Sequence, residues 1–238
     1  MKKWLALILM VAALVTLCAF ALAEGELQLV EDSYCIFEGK DNKYTAYLYC
    51  IFENVSDKPV EVKKCEVNVT DADGNPFLEK AAAISGSDFH PATVHPGERT
   101  YVRKEITCKE VTDASKISNY VMTMETRDSN HAYLLAESEP VYSYKLNSKG
   151  DAITTSIAMK ITNTSDAPHD QLNMMTILRD QNGKLIYCNN DTSGRLTLYP
   201  GSTIEYIVSS VPGDLTRVWI ANGIEPVTAE TICFFVVK

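Results

Sequence analysis

The feature that most constrains this chain is an internal repeat. Asn54-Val55-Ser56-Asp57-Lys58-Pro59 returns 109 positions later as Asn163-Thr164-Ser165-Asp166-Ala167-Pro168. Asp71-Ala72-Asp73-Gly74 returns at the same offset as Asp180-Gln181-Asn182-Gly183. His95-Pro96-Gly97 then matches Tyr199-Pro200-Gly201 at an offset of 104, so the first copy carries about five extra residues before its Pro-Gly turn. Two copies of this length are too few and too long for a solenoid, and they point to tandem domains.

Each copy has β periodicity. Thr45–Asn54 and Thr155–Asn163 alternate with period two, which puts Leu48, Cys50 and Phe52, and likewise Ile157, Met159 and Ile161, on the core face. Asn54 and Asn163 end these strands, and Ser-Asp-x-Pro continues the turn. The next strands, Val62–Val69 and Leu172–Leu178, run to Asp73-Gly74 and Asn182-Gly183. Both pairs are strong hairpin signals because both residue types tolerate positive φ. Further strands follow at Tyr101–Cys108 and Thr203–Val211, and Thr231–Val237 is apolar enough to be a buried central strand. Asp113–Tyr120 is the best helical candidate, and it is short. About seven short strands per copy, with regular turn signals, predict an all-β fold of two tandem immunoglobulin-like β-sandwiches. The join is placed near Glu137-Ser138-Glu139-Pro140, which gives a leader over 1–23, one sandwich over 24–139 and a second over 140–238.

These motifs carry a resemblance. N-x-S-D-x-P, a strand, D-x-D-G or D-Q-N-G, and then a Pro-Gly turn resemble the FxLYD-type immunoglobulin-like domains of exported bacterial proteins, over about half of each copy. Val69-Thr70-Asp71 and Leu178-Arg179-Asp180 stand where that family has Leu-Tyr-Asp. The resemblance implies a sandwich and a non-enzymatic role, and its motif marks turns and hairpins more than a site.

The N-terminus reads as an export signal. Lys2 and Lys3 precede a charge-free run from Trp4 to Ala23, and Ala21-Leu22-Ala23 is followed by the first acid, Glu24. Cleavage is expected between Ala23 and Glu24, giving a secreted, extracytoplasmic protein. The alternatives are a retained leader, which is long enough to anchor in a bilayer, and a lipoprotein acylated at Cys18. Leu17 before that cysteine is larger than a lipobox prefers. The whole chain has a net charge of −9, and losing Lys2 and Lys3 leaves 20 basic residues against 31 acidic, or −11. Such a balance excludes a nucleic-acid binder and disfavours anionic surfaces. Asn54, Asn68, Asn163 and Asn190 head N-x-S/T sequons, to which no glycan is assigned.

With Cys18 gone, Cys35, Cys50, Cys65 and Cys108 remain in the first copy, and Cys188 and Cys233 in the second. Export permits disulfides, but the sequence does not fix their connectivity. Cys50–Cys65 has symmetric spacing about the strand–turn–strand unit, and its bridge would close a loop of about 15 residues, worth about 3 kcal/mol if unstrained. Cys35–Cys108 and Cys188–Cys233 are then the remaining pairs. The competing reading is six buried thiols that act as small hydrophobes. No C-x-x-C is present to suggest zinc or thiol redox chemistry.

Catalytic and metal signals are missing. His90 and His95 share a proline-containing loop without ligand spacing, and His131 and His169 are isolated. Asp71 and Asp73 open like a calcium loop but lack its closing glutamate. Glu125 with Asp128, and Glu137 with Glu139, read as surface charge. No catalytic residue, metal or cofactor is therefore assigned, and the protein is read as not an enzyme. The expected partner is an extracellular or envelope protein, or a glycan. Tyr44, Tyr47 and Tyr49, with Tyr142 and Tyr144, raise the alternative of a carbohydrate-binding or adhesive module with exposed tyrosines. Alternating tyrosines also suit the half-buried outer face of a sheet.

Overall fold

Wherever the sequence alternates, the chain pairs into antiparallel strands. The computed structural model describes residues 26–38, 44–109, 111, 113–146, 153–194 and 196–237. The expected leader, Cys18 and the expected Ala23–Glu24 cleavage site lie outside these residues. The first half holds β1 (Leu27–Glu38), β2 (Tyr44–Asn54), β3 (Val60–Thr70), β4 (Ala82–Ile84), β5 (Phe89–His90), β6 (Thr93–Val94), β7 (Arg99–Cys108) and β8 (Asn119–Asp128). One sheet has the order β1-β2-β7-β5; in the other, β3 pairs β8 on one side and the short β4 and β6 on the other. Leu48, Cys50 and Phe52 from the first sheet meet Cys65, Val67 and Val69 from the second in a common core.

The second half holds β9 (Ala132–Leu146), β10 (Ile153–Thr162), β11 (Leu172–Asp180), β12 (Leu185–Ser193), β13 (Thr203–Ser210) and β14 (Pro226–Val237). They form one path, β12-β11-β14-β9-β10-β13. β9 belongs to both ends of it: Ala132–Ala136 pair with β14, and Glu137–Leu146 pair with β10. Met159 and Ile161 of β10 pack across on Leu172, Met174, Cys233 and Phe235. β14 lies between β11 and β9, as its apolar sequence predicts.

Glu137–Pro140, the polar stretch near the expected join, lies in the interior of β9, and Ser129–His131 separates β8 from β9. Pro140 stands opposite Met159 on β10, past the end of the β14 pairing. A residue without an N–H is tolerated where a strand has a neighbour on one side only.

The sequence reading missed one helix, α1 (Gly213–Ala221). Leu215, Val218 and Trp219 have the i, i+3, i+4 spacing of an apolar helical face, and Leu215 and Trp219 are buried. The Ile224 N–H bonds Trp219 O and the Gly223 N–H bonds Ile220 O, with Gly223 at φ 63°, a Schellman ending. The first half has only a short 3-10 turn at the same stage of the chain, Ala114–Lys116, capped by Asp113. The protein is thus predominantly β, with several antiparallel sheets.

Candidate functional site

The residues of the repeated motif build turns. Asn54 is fully buried: its Nδ2 donates to Lys58 O and Val94 O (both 2.8 Å), and its Oδ1 accepts from Ser56 N and Ser56 Oγ. Asn163 repeats this set with Ala167 O, Leu198 O, Ser165 N and Ser165 Oγ. The backbones also correspond, since Gly97 N donates to Asn54 O and Gly201 N to Asn163 O. Each asparagine ties its strand end to the loop that precedes β7 or β13. Asp57 and Asp166 are exposed at the turn tips, where Pro59 is half-buried and Pro168 exposed.

The hairpins correspond in the same way. Asp71 Oδ1 accepts from Asp73 N and Asn75 N, and Asp180 Oδ1 accepts from Asn182 N and Lys184 N. Gly74 and Gly183 carry φ of 84° and 78°, the left-handed region that glycine adopts freely. Hydrogen bonds from Asn75 hold the Asp71 carboxyl below its ordinary pKa. The D-x-D-G segment is therefore a turn whose carboxylate is already satisfied by N–H donors. Asn54 and Asn163 cannot present their amides outward as glycan acceptors, and Asn68 Nδ2 donates to Leu78 O. Asn190 is exposed.

The tyrosine strip lies inside the molecule. Tyr47 and Tyr49 point away from the first core, yet they are only 6% and 0% exposed because the second half covers them. With Ile51 and Tyr101 they pack on Met175, Ile177, Ile186, Tyr187 and the α1 side chains Leu215 and Trp219. Tyr49 stands 5.8 Å from the Tyr187 ring, which in turn meets Trp219 edge-on at 6.4 Å. Burying each such side chain is worth about 1.5–3 kcal/mol.

Polar contacts border this seam. The bulge between Leu29 and Glu31 precedes Glu31, whose Oε1 accepts from Arg179 Nη1 at 2.5 Å and Leu185 N at 3.1 Å. Arg179 also pairs with Glu230, and its pKa is raised by the Glu31 bond first. Arg103 lies over the Tyr47 ring and donates to Asn189 Oδ1. A glycan-binding face built on Tyr47 and Tyr49 is thereby removed. Tyr44 is half-buried, and the side chains of Tyr142 and Tyr144 lie outside the described set.

No disulfide joins any of the six cysteines. Register explains two of the three expected pairs. Cys35 is opposite Tyr47 and Cys108 opposite Tyr44, three residues apart on β2, so they occupy opposite faces of one sheet. Cys188 is opposite Ile177 and Cys233 opposite Met174 on the two sides of β11, again on opposite faces. Cys188 Sγ contacts Val102 O in the seam, whereas Cys233 Sγ contacts Met159 Sδ in the second core. Cys50 and Cys65 do share the first core, as their inward phase predicts, but remain thiols. Burial pushes the Cys35 thiol up to about 11 and the Cys65 and Cys233 thiols up to about 12, which makes them poor nucleophiles.

The histidines do not converge. His90 meets Asn190 and His95 meets Tyr133 at the seam; His131 is exposed beside Glu61, and His169 stacks on Phe235 at 4.8 Å. Among the described residues, no three His, Cys, Asp or Glu side chains are grouped to hold a metal. Glu125 and Asp128 pair with Lys63 and Lys58 at the surface, and Glu137 and Glu139 are exposed.

One feature that sequence reading did not single out is the edge of β8. It pairs with β3 from Asn119 to Asp128 and with no other strand among the described residues. In the second half, the corresponding edge of β14 is filled by Ala132–Ala136. Val121, Thr123, Glu125 and Arg127 of β8 are exposed.

No family model and no curated protein matches the chain. A solved structure of infectious bursal disease virus, Gt strain, aligns over 89% of this chain and 67% of that chain, at 10% identity and a TM-score of 0.21.

Proposed function

We propose that the chain is an exported, non-enzymatic protein of the bacterial envelope or secretome. It is built of two tandem immunoglobulin-like sandwiches, and it works by binding another protein. The leader supports export, and the atom-for-atom correspondence of the Asn54 and Asn163 bonds supports two related units. The observation that carries the binding role is the open edge of β8. Its backbone can take up an extended partner segment by strand addition, and the exposed side chains beside it supply selectivity. The filled edge of β14 is the precedent within the same chain. Glu125 and Arg127 are charged residues of the kind that keep such an edge from non-specific pairing.

A photo-crosslinking residue placed at Thr123, in the producing cells, tests this reading. A discrete protein adduct from Thr123, absent when the crosslinker replaces the exposed Thr228 on β14, is the expected result. A Thr123 probe that captures no protein, or captures a glycan instead, contradicts it. Turnover by the purified mature chain on a broad substrate panel contradicts the non-enzymatic reading separately.

A further inference from the structure

The two halves share a strand register as well as a motif. Glu53 of β2 stands opposite Gln28 of β1, and Thr162 of β10 opposite Glu137 of β9. Cys65 of β3 stands opposite Met124 of β8, and Met174 of β11 opposite Cys233 of β14. Each of these residues in the second half lies 109 positions after its counterpart, the offset of the repeated turn motifs. β1 therefore corresponds to the part of β9 that pairs with β10, and β8 corresponds to β14. In the second half, the residues just before that part of β9, Ala132–Ala136, pair with β14. The same step back from β1 leads to Glu24, Gly25 and Glu26, and to the edge of β8. That edge has no strand on it among the described residues.

Glu26, the first described residue, already touches it. Thr126 Oγ1 donates to Glu26 Oε2 at 2.7 Å, and Lys58 Nζ joins Glu26, at 3.1 Å, to Asp128, at 2.5 Å. Val55 N donates to Glu26 O, which holds the backbone at this point.

We infer that Glu24–Glu26 are the chain's own strand for the β8 edge, as Tyr133–Leu135 are for β14. Tyr133, Leu134 and Leu135 stand opposite Val236, Phe235 and Phe234. The shared offset then sets Glu24 opposite Arg127, Gly25 opposite Thr126 and Glu26 opposite Glu125. Charge agrees at the outer pair. Arg127 bonds Glu61, its β3 neighbour, and Glu24 adds an acid on the other side, so that charge alternates across three strands. Glu26 and Glu125 are like charges, and each is held by its own lysine, Lys58 and Lys63. The inference rests on the same open edge as the proposed function, and it divides that edge. Glu125–Arg127 are taken by the chain itself, and Asn119–Thr123 are left for another protein.

Hydrogen exchange resolved to single amides, on the chain isolated from the producing cells, tests this. Alternate N–H groups of β8 point away from β3. Of these, the ones within Glu125–Arg127 should exchange at least about tenfold more slowly than those within Asn119–Thr123, after correction for intrinsic rates. A chain shortened to begin at Glu26 keeps the Thr126 and Lys58 bonds and should lose the difference. If the shortened chain does not fold, Glu24→Pro and Gly25→Pro, made separately in the mature chain, take its place. Neighbouring N–H groups of a strand point to opposite sides, so at least one of these substitutions should remove the protection. No difference in the unshortened chain overturns the inference. So does a difference that survives the shortening or, where that chain does not fold, both prolines; if it also fades on dilution, the occupant is a second copy of the chain. The purified chain is measured alone, so failure of the pairing is separate from failure of the binding role. Unprotected amides leave a Thr123 adduct standing, and a Thr123 probe without an adduct leaves slowed amides standing.

Discussion

Asn54 and Asn163 show how much one side chain settles. Each accepts from the serine two positions on and donates to two carbonyls, one in its own turn and one across the sandwich. Asn54→Ala leaves Val94 O buried without that donor and should cost about 2–3 kcal/mol, read as a lower urea midpoint. Asn163→Ala should cost a similar amount through Leu198 O. A shift within the error of the measurement in either variant would contradict the bonding described. The sequence marks both residues as strand ends. It cannot mark them as buried, because an asparagine that caps a turn in solvent has the same neighbours in sequence.

At the scale of elements, period-two alternation and the Asp-Gly and Asn-Gly pairs made most strands and both hairpins legible. The α1 helix was hidden because three apolar positions, Leu215, Val218 and Trp219, are a short signal in a chain rich in strands. Glu137–Pro140 looked like a boundary because polar residues and proline usually interrupt strands, whereas β9 accommodates them where it has one neighbour. Cysteine pairing failed for a different reason. Parity along a strand can be counted, but which strands become neighbours cannot, and neighbour identity puts Cys188 and Cys233 on opposite faces of β11. Alkylation of the unreduced, denatured chain should therefore label Cys35, Cys50, Cys65, Cys108, Cys188 and Cys233 alike. In the native chain at neutral pH the buried thiols should react slowly. A Cys35–Cys108 or Cys188–Cys233 peptide in the unreduced digest would contradict the register.

At the scale of the molecule, the seam decides what surface is left for function. Tyr47 and Tyr49 alternate on β2 in the same way whether solvent or another sheet lies over them, so their burial was not legible from the strand alone. Once covered, that face joins the two halves through Tyr49, Tyr187 and Trp219, and among the described residues β8 keeps β3 as its only strand neighbour. The halves should therefore unfold together. Trp219 makes this measurable, because the only other tryptophan is Trp4, near the start of the sequence, in the run read as a leader. Tyr49→Ala empties a contact made on the outer face of the first half and should destabilise by about 3–5 kcal/mol. Tyr49→Phe should be close to neutral, since the buried hydroxyl has no hydrogen-bond partner among the described residues. The most direct measurement is urea unfolding of Tyr49→Ala, followed by Trp219 fluorescence and by far-UV circular dichroism. Both transitions should move together to lower urea. A Trp219 transition that stays at the wild-type midpoint would mean that the second half does not rest on the first, and would contradict the seam.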